Sequence, residues 1–192
     1  MKFINKKKIK IDKLPTLLDK FVVNFCKILE KHVKYVVVSG YVSILFGRAR
    51  ATEDIDILIE KIPREKFYTL YSEIIKKGYW SLNAKTRENA FQTIKDGIGV
   101  RFAKRKNIIP NAEVKFAKND LDEDALVDNL TAVLPIGSIK ISRIEQQIAY
   151  KELVLGSQKD IEDARHLETV FKDKIDKKLL ENYRKRLRNE RY

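Results

Sequence analysis

The chain has one cysteine, Cys26, so an internal disulfide is excluded. Cys26 sits within an apolar helical pattern, which marks it as a small buried hydrophobe. Histidine is nearly as scarce: His32 and His166 lie far apart, and neither has a second histidine or cysteine nearby to make a zinc site. There is no Ser–His–Asp or Cys–His constellation, which suits chemistry that requires no nucleophilic side chain. Long apolar runs are lacking too. The longest apolar-rich window, Tyr35 to Phe46, is interrupted by Ser39-Gly40 and is too short to span a bilayer. The lysines at the N-terminus are not followed by an apolar stretch of signal-peptide type. These features point to a cytoplasmic protein with no membrane partner. Gly97-x-Gly99 lacks the third glycine and following helix of a dinucleotide fingerprint and reads as a turn into a strand.

What is present suits a globular protein. Of 192 residues, 44% are hydrophobic and 9% aromatic, enough for one domain with a real core and a helical extension. The net charge is +13 and unevenly placed. Residues 1–14, 95–118 and 172–192 each carry +5, and the remainder is slightly acidic. Segregated basic charge is an electrostatic footprint for a polyanion such as RNA. A lysine-rich surface that serves only solubility is the plain alternative.

Taken in order, the chain alternates helical and strand patterns. Ile4, Ile9 and Ile11 suggest an N-terminal edge strand. Pro15 suits a first helical position, and Leu14, Leu17, Leu18, Phe21, Phe25, Ile28 and Leu29 predict an amphipathic helix over 15–31 with that stripe in the core. Tyr35 to Val38 is a short buried strand. Tyr41 to Phe46 is helical and ends at Gly47, and Asp54 to Ile59 is a second strand. Arg64 to Lys77 and Thr86 to Ile94 have helical spacing. The Tyr79-Trp80 pair between them is expected to pack in the core or at a domain seam, with base stacking as the alternative. Val100 to Ala103 and Ala112 to Phe116 read as strands joined by the basic tip Lys104-Arg105-Lys106-Asn107. A short acidic helix is predicted over 122–130 and a strand end or turn over 133–137. Ser142 with Glu145 and Ser157 with Asp160 predict capping boxes for two further helices, and a basic helix closes the chain over 176–188. The alternating helical and strand patterns place the chain in the α/β (α+β) class.

The stretch Ser39 to Asp56 carries the chemistry. Strand side chains alternate faces, so Asp54 and Asp56 share one face while Ile55 and Ile57 enter the core. Two neighbouring carboxylates repel each other and call for a positive group, with a hard divalent cation the natural candidate. A small turn, a short helix and Asp-x-Asp on the next strand resemble the signature of the nucleotidyltransferase superfamily of the DNA polymerase β type. The turn here is Ser39-Gly40, the reverse of the common Gly-Ser order, and Tyr41 stands where the family has its serine. Arg50-x-Thr52-x-Asp54-x-Asp56, with Lys159-Asp160-Ile161-Glu162-Asp163 later in the chain, is similar to the nucleotidyltransferase-type toxins of abortive-infection systems.

That resemblance implies a fold, a small mixed sheet flanked by helices in residues 1–134 with a helical portion over 135–192 that encloses a cleft, and a set of roles. Asp54, Asp56 and a third carboxylate, Glu113, would form the catalytic and metal-binding set for Mg²⁺ or Mn²⁺. Ser39, Gly40, Tyr41, Arg50, Thr52, Lys151 and Asp163 would bind the nucleotide. The activity implied is transfer of a nucleoside monophosphate from an NTP to an acceptor hydroxyl, such as that of tRNA, with an antitoxin protein as a further partner. The rival reading is a nucleotide- or RNA-binding module on the same fold with little or no catalysis.

Overall fold

The computed structural model describes residues 1–189. Its elements are β1 (Lys2–Asn5), β2 (Lys8–Lys10), α1 (Leu17–Leu29), β3 (Tyr35–Val37), α2 (Gly40–Leu45), β4 (Asp54–Ile59), α3 (Arg64–Lys76), β5 (Tyr79–Ser81) and α4 (Arg87–Lys95). They continue with β6 (Val100–Lys104), β7 (Asn111–Phe116), α5 (Asp120–Val127), β8 (Asn129–Leu134), β9 (Gly137–Ser142) and α6 (Ile144–Tyr150). A π-helical turn (Lys151–Leu155), α7 (Gln158–Val170) and α8 (Lys177–Asn189) complete the described chain.

The strands form one mixed sheet in the order β1-β2-β8-β9-β3-β4-β7-β6-β5. β2 with β8, β3 with β9, and β4 with β7 run parallel, and the other neighbours are antiparallel. Side-chain alternation sorts the residues of the central strands between two faces. Tyr35 and Val37 of β3 and Ile55, Ile57 and Ile59 of β4 join the main core with α1, α3 and α4. Val36, Val38 and Leu58 face the other way, against Ala125 and Leu126 of α5. Asp54 and Asp56 alternate with the buried isoleucines along β4 and therefore lie on the α5 side of the sheet.

Several sequence expectations change in the fold. Thr16, not Pro15, is decisive for the first helix: it caps α1 in a reciprocal capping box with Asp19. Leu14 and Leu17 precede or begin that helix and are exposed, outside the core stripe expected for them. The acidic helix stops at Val127, because Asn129 to Leu134 pairs as β8 with β9. The sheet thus runs past the expected 134/135 boundary, which falls in the β8–β9 turn. Ser142 ends a strand instead of capping a helix, and its Oγ accepts from Gln147 Nε2. Glu145 accepts from the Asp176 amide at the start of α8. Ser157 does precede α7, but its hydroxyl donates to the Asp160 carboxylate and makes no bond to the helix backbone. Of the aromatic pair, Tyr79 is buried edge-on to Phe21 and Phe25, whereas Trp80 is exposed and its Nε1 donates to Asn107 O at 2.8 Å.

Candidate active site

The acidic cluster is built by strand register. β4 and β7 run parallel with Asp56 opposite Glu113 and Asp54 opposite Asn111, so three carboxylates stand on one face of two adjacent strands. β6 adds Arg101 opposite Glu113. Lys115, two residues along β7 from Glu113, shares that face. Its Nζ lies 2.6 Å from Glu113 and 3.2 Å from Asp56. Arg101 reaches Glu113 at 3.3 Å and Asp54 at 3.6 Å. Asn111 Nδ2 donates to Asp54 Oδ1 at 2.9 Å, and Thr52 Oγ1 donates to the Asp54 carbonyl at 2.9 Å, fixing the start of β4.

Burial raises the pKa of Asp56, with the Lys115 charge only partly opposing it and Glu113 adding to the rise. Burial alone would raise Glu113 too, but the hydrogen bond and charge of Lys115 and the hydrogen bond with Asp56 outweigh it and bring that carboxyl down. The two facing carboxyls are therefore pushed apart in acidity, Asp56 upward and Glu113 downward. Lys115 is itself raised, because its two carboxylate partners outweigh burial.

On the other side of Asp56 lies the start of α2. Ser39 has φ 64° and ψ −138°, a conformation that suits glycine, and its amide donates to Gln147 Oε1 at 3.1 Å. Gly40 and Tyr41 follow, at the point where helix amides lack intrahelical partners. A Cβ on Gly40 would meet Arg50 Nη2 at 2.7 Å, so this glycine makes room for the guanidinium against the helix start. Tyr41, expected among the nucleotide-binding residues, is instead fully buried and donates its hydroxyl to Asp19 Oδ1 at 2.7 Å, so it does not line the cleft.

Arg50 is held from behind. Its Nη1 donates to Asp163 Oδ2 at 2.7 Å, and the same oxygen accepts from Lys151 Nζ at 2.9 Å. Lys151 also reaches Asp160 at 3.4 Å, and Arg48 approaches Asp163 at 3.6 Å and pairs with Glu162. Lys151 and Asp163 are both fully buried. Lys151, expected to meet a triphosphate, is instead consumed by carboxylates, because the π-helical turn carries it inward. Asp163, expected among the nucleotide-binding residues, orients Arg50 from beneath.

Two cavities of about 490 and 480 Å³ adjoin at Ser39, Asp56 and Leu155. The first is lined by Gly40, Arg50, Thr52, Asp54 and Lys159. The second lies between the sheet and helices α5 and α6, with Lys115, Leu121, Gln146 and Tyr150 in its walls. The sequence reading left Lys115, Arg101, Asn111 and Lys159 without roles. Lys115 and Asn111 are two residues either side of Glu113, and that alternation was the one available signal for them.

A divalent ion can be tested against this donor set. Among the described residues no three His, Cys, Asp or Glu side chains form a ready-made cage. The charge between Asp56 and Glu113 is balanced by the Lys115 ammonium. The available donors are all carboxylate oxygens, and Asp54 is partly exposed, which fits Mg²⁺ or Mn²⁺ retaining several of its waters.

No protein-family model matches the chain, and no curated protein matches it in sequence. Solved structures do. An antigenic nucleotidyltransferase-like protein from Paracoccidioides brasiliensis is similar with a TM-score of 0.56 and 15% identity, over 90% of this chain and 88% of that one. The antibiotic-resistance factor ANT(2'')-Ia in solution gives 0.54 and 12%, over 92% and 94%. The crystal structure of ANT(2'')-Ia with adenylyl-2''-tobramycin gives 0.53 and 14%, over 91% and 98%. At these identities the likeness speaks for the fold, and the chain has a nucleotidyltransferase-like fold of mixed sheet and flanking helices.

Proposed function

We propose that this chain is a metal-dependent nucleotidyltransferase that moves a nucleoside monophosphate from an NTP to an acceptor hydroxyl. The observation that carries the reading is the alignment of Asp54, Asp56 and Glu113 beside a cavity lined by Gly40, Arg50 and Lys159. Asp54 and Asp56 would hold the divalent ion. Such an ion, when bound, neutralises phosphate charge and lowers the pKa of the acceptor hydroxyl. Arg50 and the amide of Gly40 would bind the outer phosphates, with Lys159 closing the same cavity. Glu113, opposite Asp56 on the same face, would take the proton from the acceptor hydroxyl as that oxygen attacks the α-phosphorus and pyrophosphate departs. The structural neighbours' names bring nucleotidyl transfer to this chain as a reading. An RNA end such as that of tRNA is the acceptor we favour, on the basic surface, and a toxin role with a neutralising antitoxin is the corresponding biology.

Lys115 favours one alternative. With its ammonium between Asp56 and Glu113, the site is electrostatically balanced without a metal, as a nucleotide- or RNA-binding module of weak catalysis would be. Incubation with each labelled NTP, Mg²⁺ and total cellular RNA separates the two. The enzyme reading expects metal-dependent label on an acceptor, lost in Asp54→Asn/Asp56→Asn with the fold retained by circular dichroism. Transfer that survives the double change overturns it. NTP binding indifferent to Mg²⁺, without transfer, supports the binding module.

A further inference from the structure

The second cavity contains a polar group that the mechanism above does not use. Gln146 lines it and is 5% exposed. Its Nε2 donates to the Leu121 carbonyl at 2.8 Å, and this contact fixes which end of the amide is oxygen, since a flipped amide would set oxygen against oxygen. Gln146 Oε1 has no hydrogen-bond partner among the described residues. A buried acceptor left in this state is costly, and a ligand's N–H brought to it would satisfy it. Val38, Leu58, Leu121, Ala125 and Leu155 give part of the cavity apolar walls suited to the faces of a planar ring, beside polar walls that include Lys118, Asn119 and Ser142. The cavity meets the Gly40–Arg50 cavity at Ser39 and Asp56, so one molecule can occupy both. At about 480 Å³ it has room for a base and its ribose.

Resting on the nucleotidyltransferase reading, we infer that this cavity holds the nucleobase of the NTP and that Gln146 is a specificity-determining residue. Its Oε1 accepts from an exocyclic amine, so the site takes an amine-bearing base and disfavours uracil. Uracil carries no exocyclic amine, and its single N–H is flanked by two carbonyls, one of which would confront the Leu121 and Gln146 oxygens. The Tyr150 hydroxyl, on a half-buried ring that lines the same cavity, is available to the ring nitrogens. Burial and the Asp122 charge raise its pKa, so it remains a neutral donor.

The test is equilibrium binding in Mg²⁺ of ATP, of purine riboside triphosphate (the same molecule without its amine), of UTP and of inorganic tripolyphosphate. Wild-type protein is expected to bind ATP at least about tenfold tighter than purine riboside triphosphate or UTP. In Gln146→Met, close in volume but without the acceptor, that ratio should fall to about one while tripolyphosphate affinity stays unchanged. Equal wild-type affinities for ATP and its amine-free analogue overturn the inference without any variant. So does a ratio that persists in Gln146→Met, or a Gln146→Met protein whose defect lies in acceptor use alone. If tripolyphosphate and every nucleotide fail to bind, the nucleotidyltransferase reading falls with it; if all bind alike, only the base-reading role falls.

Discussion

Ser39 concentrates the strain of the site in one residue. At φ 64° and ψ −138° its Cβ is placed where the backbone leaves little room, a position that favours glycine. The reversed order of Ser39 and Gly40 in the sequence is thus a physical exchange. The turn still needs a glycine-like residue first, and the glycine that follows serves Arg50 instead. Ser39→Gly should raise stability by about 1 kcal/mol, the relieved strain less the entropy that glycine costs, or a few degrees in Tm for a chain of this size. Thermal denaturation of the variant checks this, and an unchanged or lower Tm would show that the turn is relaxed around serine. The roles of individual residues were only partly legible. The shared face of Asp54 and Asp56 follows from strand alternation, and Glu113 opposite Asp56 was reachable as the acidic residue of the next strand. Lys151 and Asp163 were not reachable in their actual form, because a linear motif shows which charges are near in sequence but not which of them a π-helical turn buries.

At the scale of elements, α1 is tied to the site through its own N-cap. Asp19 completes the capping box, receiving the Thr16 amide at 2.8 Å, and also accepts from the buried Tyr41 hydroxyl at 2.7 Å and pairs with Lys13 at 3.0 Å. One carboxylate thereby joins the start of α1 to α2, the helix that begins at the cavity lined by Gly40 and Arg50. Burial by itself would raise its pKa, but the Thr16 amide, the Tyr41 hydroxyl and Lys13 together hold it below the ordinary value. A carboxyl lowered on folding contributes stability that is present above its unfolded pKa, about 3.9, and is lost as pH falls through the folded value. Asp19→Asn should therefore cost about 2 kcal/mol at pH 7 and flatten the loss of stability below about pH 4. Urea denaturation of both proteins across pH 2.5–7 measures both effects, and parallel acid limbs would remove Asp19 from the account. Elements with strong local signals were legible from sequence: the apolar alternation of β4 and the helical stripe of α3 needed nothing beyond the chain itself. β8 and β9 were not, since Asn129 to Ser142 is stabilised as strand by pairing with β2 and β3, whose partnership no local pattern announces.

Across the whole molecule, charge performs two separable tasks. Within, it clamps the C-terminal helices to one another and to the loop before β4: Lys151 and Asp163 form a fully buried pair that also holds Arg50, and Arg184 of α8 is bound by Glu152, Glu168 and Glu181. Lys151→Met would leave Asp163 buried with one cation fewer, and a loss of about 3 kcal/mol in denaturation is expected. A loss below about 1 kcal/mol would mean that Arg48 and Arg50 suffice. Outside, the basic excess is smaller than the sequence suggests, because Arg184 is consumed by glutamates, Arg186 meets Asp124, and Lys104 lies over the Tyr79 ring at 3.9 Å with its ammonium on the Lys77 carbonyl. These three cannot serve as free phosphate contacts without breaking the fold's own bonds. Arg105 and Lys106 are exposed at the β6–β7 turn, and strand order sets that turn at the end of the sheet where Asp54 begins β4 beside Asn111. An RNA whose terminal hydroxyl reaches the carboxylates would lay its backbone there. Each phosphate neutralised releases counterions, so the log–log slope of affinity against salt changes by about 0.7 per contact on a single strand. Arg105→Ala/Lys106→Ala should flatten that slope by about 1.4 and leave binding of a free NTP unaltered, since under the proposed function the NTP would be held by Arg50, the Gly40 amide and the carboxylates of β4. Binding of a single-stranded RNA and of ATP across a salt series measures both. An unchanged RNA slope would assign these charges to solubility and direct the search for an acceptor to small molecules or protein hydroxyls.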